Sequence, residues 1–100
     1  MDKTDSIKEF CVEYEMDEES EILLADGFED AFIGLGNQYT KLPVAIYDRG
    51  KCIEILIKRD GMDYHEAVEF FDYNVSCAWV GERTPIYVSM YEDYASLEDN

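Results

Sequence analysis

The sequence predicts an α+β fold: a small three- to four-stranded sheet with two or three helices packed on one face. Short β-type runs and helical stripes both occur, and two helical stretches follow one another with no strand between them. That succession argues against the regular strand–helix alternation of an α/β fold. No repeat, low-complexity tract or Pro/Gly-rich linker divides the chain, and 100 residues, 47% of them hydrophobic, suffice for one core. Residues 1–100 are therefore expected as a single domain, with loose ends at 1–5 and 90–100.

The elements follow in order. In "SIKEFCVEYEM", Ile7, Phe10, Cys11 and Tyr14 recur at helical spacing, and Ser6 precedes Glu9 by three residues, which predicts a short capped helix. The β-like composition of "FCVEY" leaves an edge strand as the alternative. "EILLA" and "AFIGLGNQY", separated by "DGFED", read as a hairpin with Gly27 at a turn position that needs positive φ. Gly34 and Gly36 predict a bulge or a close backbone approach. "GLG" lacks the lysine and hydroxyl of a phosphate-binding loop.

"PVAIY" is a buried strand opened by Pro43. Asp48 then caps "RGKCIEILIKR", whose stripe is Cys52, Ile53, Leu56 and Ile57, and whose Lys58 and Arg59 suit a helix C-terminus. Asp60-Gly61 stops it. Asp63 with Glu66 forms a capping box for a second helix, with Ala67, Val68, Phe71, Val75, Ala78 and Trp79 on one face through to Gly81. "TPIYVS" is a last strand, and "MYEDYASLEDN" an acidic tail.

Charge is the strongest deviation from an ordinary domain. Twenty-four acids against eight bases give −16, where a magnitude of about 2–8 suffices for solubility. Residues 1–30 hold 12 acids and 2 bases, residues 31–59 hold 2 and 5, and residues 60–100 hold 10 and 1. Such a field repels nucleic acid and anionic membranes and attracts basic protein surfaces.

Other chemistry is weakly signalled. Cys11, Cys52 and Cys77 lie far apart within apolar patterns, which reads as three small buried hydrophobes in a reducing, cytoplasmic setting. No N-terminal apolar stretch marks a signal peptide and no window of about 18 apolar residues marks a membrane span. His65 falls in the exposed first turn of the second helix, with no spacing that links it to a nucleophile. The carboxylate pairs Glu18/Glu19, Glu29/Asp30 and Glu92/Asp93 look uniformly solvated, and no calcium loop is present. No catalytic residue, metal or cofactor is expected. Lys41, Arg49, Lys51, Lys58, Arg59 and Arg83 read as solubilising ends or internal partners for the acids.

The stretches "LLADGFEDAFIG", "AIYDRGKCIEIL", "RDGMDYHEAVEFFDYNV" and "AWVGERTPIYV" resemble a family of short uncharacterised bacteriophage proteins, over about residues 21–88. That resemblance brings no catalytic residues. It implies a host-cell setting in which small acidic proteins act as nucleic-acid mimics against defence complexes, as anti-CRISPR proteins do.

The reading that follows is a non-enzymatic protein that binds a basic surface, occupying a nucleic-acid groove in a host defence complex. Asp17, Glu18, Glu19, Glu21, Asp26, Glu29 and Asp30 form its phosphate-like row, Tyr91 and Tyr94 help anchor it, and Glu92 and Asp93 between them join the partner-binding set. One alternative is a self-associating scaffold or virion-associated protein whose homodimer interface is made by the apolar residues of "PIYV" and of the helices. Another is a small enzyme using His65.

Overall fold

The computed structural model describes residues 2–14, 22–38 and 41–98, with side chains through residue 95. Among the described residues, helix α1 (Lys3–Val12) is followed by a 3-10 turn (Glu29–Ala31) that runs into strand β1 (Phe32–Gly36). Strand β2 (Val44–Asp48) runs directly into helix α2 (Arg49–Asp60), followed by helix α3 (Tyr64–Phe71), strand β3 (Ile86–Val88) and helix α4 (Tyr91–Glu98). A three-stranded mixed sheet with four helices makes the fold α+β. The strand order is β1-β2-β3, with β1 antiparallel and β3 parallel to β2. The two successive helices α2 and α3 form the crossover that parallel pairing of β2 and β3 requires.

Local signals set most boundaries. Asp48 Oδ1 accepts the Lys51 N–H at 3.1 Å and Asp63 Oδ1 accepts the Glu66 N–H at 2.9 Å, so both expected caps form. Gly61, at φ +70°, ends α2. The expected bulge lies in β1, where the register slips between Phe32 and Gly34, Gly34 has φ +154° and Ile33 turns outward. Asp48 is only 7% exposed, and Asp48→Ala is expected to lower stability by about 1–2 kcal/mol in urea denaturation. Asp48→Asn keeps the acceptor and should cost much less.

Four expectations are corrected. Asp2, not Ser6, caps α1: its carboxylate accepts the Asp5 N–H at 2.9 Å, and Ser6 already donates its own N–H to the Asp2 carbonyl. Residues 22–25 are not a strand, because the Ala25 N–H goes to the side chain of Tyr47 at 2.8 Å in place of a ladder partner. The hairpin is instead β1–β2. Regular α3 ends at Phe71 and widens into a π-turn over Asp72–Ser76. There Asn74 Nδ2 donates to the Phe70 carbonyl and Ser76 Oγ to the Asp72 carbonyl, and such side-chain bonds compete with the helical ladder. Trp79 is therefore 74% exposed instead of lying on the buried stripe, and Ala78 and Cys77 are exposed with it. The acidic tail is helical over residues 91–98.

The core is a chain of rings on an aliphatic base. Tyr47, Phe71, Leu56 and Cys52 are the largest fully buried side chains. Phe71 meets Tyr87 edge-on at 5.0 Å and Phe28 at 6.3 Å, while Tyr47 bridges Phe32 at 5.6 Å and Tyr87 at 5.7 Å. Ile7 and Cys11 tie α1 to this cluster. Burial, reinforced by Asp48, pushes the Cys52 thiol up to about 12, which leaves it an inert packing residue.

Candidate functional site

Asp17, Glu18, Glu19 and Glu21 lie outside the described residues. The other three members of the expected row surround the Asp26–Gly27 turn. Gly27 holds φ +92°, and its N–H donates to Glu29 Oε1 at 3.2 Å. Arg59 clamps the turn from α2: Nη1 donates to the Gly27 carbonyl at 2.8 Å, and the guanidinium lies 5.6 Å over the Phe28 ring. The same guanidinium bonds Asp60, which holds that carboxyl below its usual range. Asp30 pairs with Lys3 of α1 at 3.5 Å, an exposed contact of small energetic weight. Lys51 and Lys58 share an open cleft of about 580 Å³ with Glu29 and Asp30. These acids therefore sit opposite lysines.

Tyr91, Glu92, Asp93 and Tyr94 occupy the first turn of α4. All four are exposed, and the two rings stand 6.3 Å apart. Asp93 and Tyr94 line a second cleft, of about 340 Å³, with Ile53 and Ile57 of α2 and Tyr64 of α3. A Cβ added to Gly50 would come within 3.1 Å of Asp93 Oδ2, so that carboxylate sits at the first turn of α2, where the helix dipole favours negative charge. Glu54 lines both clefts. The 26–30 group and the 91–94 group thus approach different sides of α2, with Lys51, Glu54 and Lys58 between them.

Sequence reasoning missed a third acidic group. Asp2, Asp5, Glu9 and Glu13 are all exposed and fall on one side of α1, opposite buried Ile7 and Cys11. Their spacing of three, four and four residues was the available signal. Among the described residues none of the four forms an ion pair. No base occupies the last turn of α1, so Glu13 stands where the dipole disfavours a negative charge. The fold itself gains nothing from that placement.

The basic residues divide. Arg49 bonds Asp72 at 3.0 Å and lies 5.7 Å over Phe71, Arg59 holds Asp60 and the turn, and Arg83 Nε donates to the Pro43 carbonyl at 2.9 Å. His65 is exposed at the start of α3, its ring 6.1 Å from that of Tyr64. Among the described residues no group of three or more His, Cys, Asp or Glu is placed to hold a metal ion, and no helix is long and apolar enough to cross a membrane. Trp79 and Leu42 line a small notch with Lys41, Glu82 and Arg83, and Ile86 on β3 is half exposed.

Comparison with known proteins finds no matching family model, no matching curated protein and no matching solved structure.

Proposed function

We propose that this chain is a protein-binding accessory that engages a basic surface through its outward acids, without chemistry of its own. The observation that carries the reading is the stripe Asp2, Asp5, Glu9 and Glu13 on α1, in no ion pair among the described residues, in a chain of net charge −16. At a rise of about 1.5 Å per residue, the stripe from Asp2 to Glu13 spans about 17 Å. One strand of a duplex carries about five phosphates in that length, at about 3.4 Å each. Four carboxylates therefore approximate the line charge of a single strand and fall well short of a duplex. The groove to be occupied is one that grips one nucleic-acid strand. The owner we propose for that groove is a host defence complex, the setting that the resemblance read from the sequence implies.

A triple neutralisation, Asp5→Asn with Glu9→Gln and Glu13→Gln, tests this. Captured from bacterial lysate, a partner held by the wild type should be lost or greatly reduced on the variant. Equal capture by both proteins contradicts the reading.

Exposed Trp79, Leu42 and Ile86 favour self-association as a second reading. Two copies at −16 repel one another, so it requires that apolar contact outweigh the charge. A concentration-dependent doubling of mass in light scattering is its signature.

A further inference from the structure

A pocket of about 210 Å³ opens between α1 and residues 22–26. Ile7, Ile22 and Leu24 give it apolar walls, and Tyr47 of β2 also lines it. Tyr47 is 1% exposed, and its hydroxyl accepts the Ala25 N–H. A phenol both accepts and donates, yet among the described residues no acceptor takes the Tyr47 proton. Buried polar hydrogens are ordinarily matched, so a donor in this position points to an acceptor that enters the pocket. A phenol carries its proton at neutral pH in any case, and burial pushes Tyr47 further up, to about 12.

Rim charge and volume decide the class of molecule. Lys8 brings one positive charge, Asp26 and Glu29 bring two negative ones, and the whole chain repels anions. An apolar cavity of about 150 Å³ holds benzene, so this one admits a single ring with a short substituent. We infer that the pocket binds a small neutral molecule with an apolar body and one carbonyl-type acceptor, which takes the hydrogen bond from Tyr47 Oη. This site is independent of the acidic stripe.

Three probes separate the contributions. Acetophenone has the ring and the carbonyl, ethylbenzene replaces the carbonyl with a methylene, and benzoate carries an anionic acceptor. Each is titrated into the isotope-labelled full chain while the methyl signals of Ile7, Ile22 and Leu24 are followed by NMR. Acetophenone should give saturable shifts with Kd about 2- to 10-fold below that of ethylbenzene, the worth of one neutral hydrogen bond. Benzoate should bind more weakly than acetophenone. Tyr47→Phe should bring acetophenone and ethylbenzene level. Leu24→Phe, which fills a half-buried wall and leaves Tyr47 in place, should weaken both at least about tenfold.

The inference is overturned if acetophenone gives no saturable shift or if ethylbenzene or benzoate binds the wild type as well as acetophenone does. It is equally overturned if the preference survives Tyr47→Phe or if Leu24→Phe leaves both affinities unchanged. Should Tyr47→Phe fail to fold, the wild-type ranking and Leu24→Phe still decide.

Discussion

Phe71→Ala is expected to destabilise the protein by about 3–5 kcal/mol, measured as a fall in the urea midpoint at unchanged slope. Phe71 is fully buried and is where α3, β3 and the 22–28 segment meet, through its edge-on contacts with Tyr87 and Phe28. Arg49 covers the same ring while bonded to Asp72, so removing the ring also unseats a guanidinium. A domain of this size has about 5–15 kcal/mol in total, so the variant should be marginal. Its neighbour Phe70 is 40% exposed and provides the control. Phe70→Ala should stay within about 1 kcal/mol of the wild type. Similar losses for both would mean that the core does not converge on Phe71.

The triple neutralisation of α1 is expected to do the opposite: little to the fold and much to binding. Asp5 lies in the first turn, where its charge helps the helix, and Glu13 lies at the other end, where its charge opposes the dipole. Removing both nearly cancels. Asp2 is left unchanged because its carboxylate caps the helix. Each exposed carboxylate that meets a basic partner contributes modestly, and three together correspond to a loss of about 3- to 150-fold in affinity. A variant that melts with the wild type and loses affinity in this range separates binding from folding. Unchanged affinity with unchanged stability would place the contact elsewhere.

The segment from β2 through the first two turns of α3 was legible because several local signals agree there. Asp48 and Asp63 cap, Gly61 stops, and the stripe Cys52, Ile53, Leu56 follows the helical period. Where signals conflicted, non-local contacts decided. "EILLA" has strand composition, yet Tyr47, 22 residues away, takes the Ala25 N–H. The stripe toward Trp79 continues past Phe71 on paper, but Asn74 and Ser76 draw off backbone carbonyls and the chain leaves the helix. Parallel pairing of β2 with β3 spans the whole crossover and has no local marker.

The candidate site was half legible. Net charge was plain from composition, and the α1 stripe was readable from its period once Ile7 and Cys11 were taken as the buried side. The clamp of Arg59 on the Asp26–Gly27 turn was not, because Arg59 and Gly27 are 32 residues apart.

The central claim is that outward carboxylates dock on a cationic protein surface, and the salt dependence of association tests it most directly. Stopped-flow association with the captured partner, from about 50 to about 500 mM NaCl, should show the rate constant falling at least about tenfold, with a shallower slope for the triple variant. A rate that stays flat across that range would contradict the account.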